Sequence, residues 1–530
     1  GTLNATLIGT LNATLIGTLN ATLNGTLSAT LNGTLNGTLN GTMNATLDGI
    51  VAGSIADASG SRSSSAPSIG ATCAWAAGAA CLLGLAGITA LSRQPGEKGI
   101  EALVAEFVGT FMLVLSVGCN VLVGDATWGV VSIACTLMVS IYALGGVSGA
   151  HLNPAVSVAC LLTGKIAVRE ALMYVWTQLA AGLVASLVYS QMLGDAFNLG
   201  PAEGFSWWQA GLGELLYTFM LCFVVLNTAC SKKHAGKEQF YGLAIGFSVV
   251  AGGYGAGSIS GGCFNPAVAF GIDASSSSLG FGWCFAYLGF ELLGAVLAAI
   301  LFRACRPDDF GGSDSYGLGV RTLSEFLGTF MLVLTVGLNV IANSKAAVFS
   351  IAASLMCMIF ALGSCSGAHF NPAVTTAIFL RGKCKLVEAV AFMAAQLTAG
   401  VAAAFTYSAM EGGKTVYLGP SGGSGEALLG EFVFTFLLSF VVLSVATVKS
   451  PLSEYFGLAI GSCVTAGGLA VGSLSGGSLN PAVSAGLALS DLGNGGSAAH
   501  LPSYAAVEIL GGVLAAGIFS VTRPEESVKA

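Results

Sequence analysis

An Asn-Pro pair in an apolar stretch suits one kind of chemistry. The Asn caps a helix while its side-chain amide stays available as a donor, and the Pro starts the helix where a missing N–H costs nothing. Asn153-Pro154-Ala155, Asn265-Pro266-Ala267, Asn371-Pro372-Ala373 and Asn480-Pro481-Ala482 repeat that arrangement, each with a Ser-Gly bend before it and a Val after it. Two such helices meeting by their N-termini would oppose two positive dipole ends of roughly half a charge each, which disfavours cations. The Asn amides could donate to a passing hydroxyl or water. The carbonyls of the Gly-rich bends could accept, which at membrane depth is tolerable only around a wet cavity. No nucleophile–base pair and no CxxC metal spacing accompanies the motifs, so the sequence points to neither an enzyme nor a metal or cofactor protein.

Glu106, Glu214, Glu325 and Glu431 also stand in apolar runs, where an ionisable group is expensive and functional by default. They read either as proton relays or as fixed acceptors for the N–H groups of the bends. His151 and His369, inside two of the bends, read as packing residues rather than metal ligands.

The elements that must position these residues are membrane spans. The chain of 530 residues is 54% hydrophobic and 8% charged, with a mean hydropathy of +0.81, whereas a soluble domain carries about 25% charged residues. The net charge of −7 forms no basic patch, which argues against nucleic acid. Most of the 14 Cys fall inside apolar runs as small apolar side chains.

Six spans are expected at roughly 101–123, 128–148, 168–191, 207–229, 240–257 and 281–302, with half-spans from Asn153 and Asn265. A second set follows at roughly 321–342, 346–364, 385–409, 425–447, 455–471 and 501–520, with half-spans from Asn371 and Asn480. Ala105–Leu115 returns as Ser324–Leu334, so the sets are copies. Within each set the first-span pattern echoes weakly at Gly213–Phe219 and at Gly430–Phe436, three spans on, so the halves of a set insert with opposite polarity. Of 19 Lys and Arg, all but Arg62, Lys345 and Lys414 then fall on one side, the cytoplasmic one. Residues 1–70 are a Thr/Leu/Asn repeat and a Ser/Ala/Gly linker, expected to be disordered, and 71–91 is a candidate extra transmembrane helix.

On the four Asn-Pro-Ala motifs, on Ser-Gly-Ala-His before the first motif of each set and on the Glu of the first and fourth spans, residues 101–520 resemble two aquaporins, members of the major intrinsic protein family, fused in tandem. The resemblance implies an all-α membrane protein of two bundles, at 101–302 and 321–520. Each bundle has six transmembrane helices and two re-entrant half-helices related by an inverted repeat around one pore. A cytoplasmic linker (303–320) and tail (521–530) complete the plan, and a homodimer would give the four-pore assembly of the family. The resemblance assigns the four Glu to holding the re-entrant loops. It also places the narrow filter at Ile133, Gly253, Gly262 and Val268 in the first set, and at Ile351, Gly468, Gly477 and Val483 in the second. The family has Arg where Val268 and Val483 stand, so the constriction is expected to be wider and apolar. Glu291 and Glu508 stand where the family has Pro, and the sequence offers no role for them.

The expected function is a passive channel in the lipid bilayer for water or small uncharged solutes such as glycerol, urea or ammonia, through two pores per chain. A 12-span coupled transporter using the intramembrane Glu, or a non-conducting scaffold, remains as an alternative. The N-terminal repeat holds eight Asn-x-Thr acceptors, at Asn4, Asn12, Asn20, Asn24, Asn32, Asn36, Asn40 and Asn44, and is expected on the outer or luminal side. Deglycosylation should therefore shift the mass of the native protein, and an Asn-to-Gln version of all eight acceptors should show no shift. An unglycosylated N-terminus, protected from protease in sealed cells, would contradict this topology.

Overall fold

The computed structural model describes residues 69–91, 98–125, 127–234 and 239–526; the Asn-x-Thr acceptors and their repeat lie outside them. Helix α1 (Ile69–Leu91) precedes two bundles of one plan. In the first, α2 (Ile100–Val123), α3 (Gly129–Ser148), half-helix α4 (Pro154–Leu162) and α5 (Val168–Leu193) form one half. The other half is α6 (Trp207–Val225), α7 (Tyr241–Gly255), the one-turn α8 (Gly257–Ser260), half-helix α9 (Pro266–Ser275) and α10 (Trp283–Cys305). The second bundle comprises α11 (Leu318–Ile341), α12 (Ala347–Ser366), α13 (Pro372–Leu380) and α14 (Leu386–Met410), then α15 (Ser424–Ala446), α16 (Phe456–Ser475), α17 (Pro481–Gly493) and α18 (Leu501–Thr522). Among the described residues, 11 helices are long and apolar enough to cross a membrane. The pairing of α2 with α5 recurs as α6 with α10, α11 with α14 and α15 with α18, as an inverted repeat inside each of two tandem copies requires.

Helices this apolar gain no hydrophobic drive to associate in lipid, so close packing must hold them together. A Cβ on Gly182 of α5 would lie 2.4 Å from the Ala267 carbonyl oxygen of α9, and one on Gly400 of α14 would lie 2.3 Å from that of Ala482. Only glycine fits, and each long helix therefore carries a half-helix directly against its backbone.

The fifth span of the first bundle departs from the single helix expected over 240–257. Helix α7 is 15 residues long and ends at Gly255; the chain restarts as α8 after Ala256. Glycines at 252, 253, 255 and 257 make this helix easy to break. Tyr217 of α6 packs against the break: its hydroxyl sits 2.3 Å from where a Gly255 Cβ would be, so only glycine fits there, and it bonds Thr335 of α11 at 3.0 Å. The second bundle has Phe434 in that place, with no hydroxyl, and α16 runs unbroken for 20 residues.

The bundles meet along α6 and α7 of the first and α11, α12 and α14 of the second. Phe240 stacks on Phe360 with ring centroids 4.3 Å apart, and Ser350 and Cys357 of α12 donate to the Ala251 and Ala244 carbonyls of α7. Different faces of the two copies meet, so the contact is heterologous. Its mark is unequal burial: 72% of the apolar window of α12 is buried but 22% of that of its counterpart α3.

Where α10 leads into α11, Arg306 is fully buried. Its guanidinium donates to Asn227 Oδ1 at 2.8 Å, Tyr316 Oη at 3.1 Å, Ser364 Oγ at 2.8 Å and the Ala361 carbonyl at 2.7 Å. Asp309 nearby accepts from the Lys165 and Ser231 side chains and the Lys232 N–H. Burial pushes this carboxyl up, but these donors outweigh it and hold it below the usual carboxylate range. A depressed carboxylate stabilises above its unfolded pKa, and the stabilisation is lost as pH falls through the folded value, so this tie weakens only in acid. Arg306→Met should leave Asn227 and Ala361 without their donor and lower stability by about 3 kcal/mol, read as earlier melting in detergent. An unchanged melting temperature would mean that the clasp contributes nothing.

Candidate functional site

Each half-helix begins at its Asn. Asn153, Asn265, Asn371 and Asn480 are extended, and their side-chain oxygens accept from the N–H of Ala155, Ala267, Ala373 and Ala482 respectively. Pro154, Pro266, Pro372 and Pro481 open the helices. The residue before each Asn is strained. Leu152, Phe264, Phe370 and Leu479 have φ of 52°, 52°, 49° and 49°, a left-handed conformation that costs a non-glycine residue on the order of 1 kcal/mol or more.

Each strained residue is held from both sides. The Leu152 N–H donates to Glu106 at 2.7 Å, and its carbonyl accepts from Asn265 Nδ2 at 2.9 Å. Phe264 is fixed the same way by Glu214 at 2.7 Å and Asn153 Nδ2 at 2.8 Å. In the second bundle Phe370 lies between Glu325 (2.7 Å) and Asn480 (2.9 Å), and Leu479 between Glu431 (2.7 Å) and Asn371 (2.8 Å). The half-helix N-termini therefore meet, each Asn giving one amide hydrogen to the opposite loop and keeping the second.

The four Glu are fully buried. Glu106 also accepts from Ser148 Oγ at 2.6 Å, the His151 N–H at 2.9 Å and Gln178 Nε2 at 2.8 Å; Glu325 takes the matching bonds from Ser366, His369 and Gln396. Glu214 and Glu431 accept from Ser260 and Ser475 at 2.6 Å. Their donors are fixed parts of the fold, which is the geometry of structural acceptors.

Glu291 and Glu508 reach the same loops from α10 and α18. Glu291 accepts the Asn265 N–H at 2.8 Å and Glu508 that of Asn480 at 3.1 Å, so the second re-entrant loop of each bundle is gripped by two carboxyls. Their recurrence at matching places in both sets was the signal for this. His151 pairs with Ser157 and meets Tyr174 edge-on, and His369 does the same with Thr375 and Phe392; both also border a cavity.

A cavity of about 310 Å³ in the first bundle is lined by Asn153, Asn265 and all four of Ile133, Gly253, Gly262 and Val268. One of about 440 Å³ in the second is lined by Asn371, Asn480, Ile351, Gly468, Gly477 and Val483. The sequence missed Val130 and Val348, which line the cavities too. A Cβ on Gly253 would lie 2.5 Å from Val130 Cγ1, and one on Gly468 2.6 Å from Val348 Cγ1. These glycines therefore leave no empty slot, because valine fills it. Val130 and Val348 precede Ile133 and Ile351 by three residues, the spacing that puts both on one helix face.

The family model described as Major intrinsic protein matches residues 95–302, 248–353 and 313–516. The chain belongs to the major intrinsic protein family. It is 35% identical over 216 residues to glycerol uptake facilitator protein-like 6 of Lactiplantibacillus plantarum, covering 39% of this chain and 98% of that protein. It is 30% identical over 238 residues to aquaporin AqpM of Methanothermobacter marburgensis, covering 38% and 95%. To aquaporin NIP1-4 of Oryza sativa subsp. japonica it is 37% identical over 177 residues, covering 32% of this chain and 65% of that protein. Among solved structures it is similar to the X-ray structure of the aquaglyceroporin from Plasmodium falciparum, with a TM-score of 0.36 and 19% identity, covering 40% of this chain and 99% of that one. As a member of the major intrinsic protein family, the chain is a multi-pass membrane channel for water or small solutes, and not an enzyme.

If the buried Glu are acceptors only, Glu106→Gln with Glu325→Gln should lower thermal stability by about 1 to 3 kcal/mol, because each carboxamide turns an N–H toward a donor. Solute flux in proteoliposomes should persist and ignore an imposed pH gradient. Accumulation driven by that gradient in the unmodified protein, and abolished in the folded variant, would make them relays.

Proposed function

We propose that each cavity is a pore, that the two pores of a chain conduct independently, and that both pass uncharged solutes larger than water as well as water itself. The observation that carries this reading is the filter. Val268 and Val483 border the cavities with Ile133, Val130, Ile351 and Val348, and no guanidinium stands among the lining residues. A solute there sheds water against aliphatic walls and meets no fixed positive charge; only the half-helix dipoles remain, about one charge per pore. The names of the relatives, aquaporin and glycerol uptake facilitator, agree with this range of solutes.

The basic ends of the helices are read as cytoplasmic. Trp75 of α1 packs on Phe270 and Phe281, near the far end of α9, which supports an outer or luminal N-terminal repeat and a cytoplasmic C-terminal tail. The poorly buried α3 and α16 lie on faces that match those of the internal contact. Two chains related by a twofold axis could set α2 and α3 of each against α15 and α16 of the other, which supports a homodimer with four pores.

Arginine combines rigid donors with a permanent charge. Val268→Arg with Val483→Arg should therefore cut glycerol and urea permeability more than water permeability in stopped-flow measurements on proteoliposomes. An unchanged solute profile, or an unmodified protein that passes water alone, would show that other residues set the constriction.

A further inference from the structure

The two filters share their four residue types, but the residue beside the loop glycine differs. Cys263 follows Gly262 and borders the first cavity; Ser478 follows Gly477 and borders the second. Ser478 Oγ donates to Glu508 Oε1 at 2.7 Å, the shorter of two carboxylate contacts, the other being Glu431 Oε2 at 3.2 Å. Ser484 Oγ is placed to donate to Ser478 Oγ or to Glu508 Oε1, each at 2.9 Å. In the first bundle the matching positions are Cys263, a thiol that hydrogen-bonds weakly, and Ala269, which has no polar atom.

A hydroxyl whose hydrogen is held by a buried carboxylate points its oxygen lone pairs elsewhere, and neighbouring hydrogen bonds strengthen it as an acceptor. Ser478 borders the cavity beside a filter glycine, and an oxygen has two lone pairs, so one is left over beyond the bond from Ser484 where the other filter side chains are hydrocarbon. A polyol or an amide entering such a constriction must give up water partners for several O–H or N–H donors, and an unreplaced partner is a large penalty. Water carries its neighbours along the file and gains less from one more acceptor. The second cavity is also the larger, about 440 Å³ against about 310 Å³.

We propose that the two pores are unequal in selectivity. The second, with Ser478 backed by Glu431, Glu508 and Ser484, favours polyols and amides over water, and the first, with Cys263 and Ala269, discriminates against them. This rests on the reading of each cavity as a pore.

Single-pore chains test it: Ile133→Trp closes the first pore and Ile351→Trp the second. Glycerol, urea and water permeabilities are then measured by stopped flow in proteoliposomes. The chain with only its second pore open should show a solute-to-water ratio about fivefold higher, the size of one net hydrogen bond. In that chain Ser478→Cys with Ser484→Ala should bring the ratio down to that of the first pore. In the other chain Cys263→Ser with Ala269→Ser should raise it. The two exchanges predict opposite changes, so misfolding of one variant cannot imitate both. Equal ratios in the two single-pore chains, or ratios that neither exchange moves, would overturn the proposal while leaving the channel intact. Failure of both chains to pass any solute, with both folded, would instead overturn the channel reading.

Discussion

A single strained backbone unit, used four times, governs the architecture. For a short helix to start in the middle of the membrane and point back the way the chain came, the residue before its cap must turn left-handed, and Leu152, Phe264, Phe370 and Leu479 do so without being glycine. Such strain persists only where the surroundings over-determine it. The surroundings here are a carboxylate from a long helix on the N–H side and the Asn of the opposite half-helix on the carbonyl side. Neither half-loop can be completed without the other. The long helices must also arrive at fixed depth and rotation for Glu106, Glu214, Glu325 and Glu431 to meet their donors. The bundle geometry, the burial of four ionisable groups and the meeting of the half-helix N-termini are thus consequences of one requirement.

Much of this could be read from the residue order. Span positions follow from apolar length, the two copies from their matching stretches, and the caps from Asn-Pro, because each is a local property with a local signature. The eight residues expected at the filter border the cavities, four in each bundle, since their distances from the motifs along the helices are fixed. What escaped depends on contacts between helices. That Val130 and Val348 fill the space beside Gly253 and Gly468 is a matter of how α3 and α12 face α7 and α16. The break at Ala256 lies beside a tyrosine hydroxyl of α6 that also bonds the other bundle. The sequence offered no role for Glu291 and Glu508 because the partner they share, the N–H of Asn265 or Asn480, is backbone and carries no residue signature of its own.

The copies have also drifted according to where each sits. Helix α12 of the second bundle, which faces the first, is largely buried, whereas its counterpart α3 in the first bundle is largely exposed. Tyr217 and Asn227 belong to that contact, and the other bundle has Phe434 and Ser444 in their places, so internal symmetry is kept at the loops and relaxed along the seam. Chemistry at the cavity has diverged as well, with a thiol in one loop where the other has a hydroxyl. The frame permits this, because the loop-holding Glu214 or Glu431 binds the backbone N–H of this residue, whichever side chain it carries.

The short passage from Cys305 to Leu318 joins the bundles through Arg306 and the turn Pro307–Phe310. It makes their association an intramolecular event. The local concentration of one bundle at the other is then set by a tether of a dozen or so residues, in the range of millimolar or above for a short linker, and does not depend on how much protein a cell makes. Dilution cannot separate the pair. Nor can a pair form from two copies of the same half of one chain, so each chain always presents one bundle of each kind in a fixed ratio, whatever its expression level.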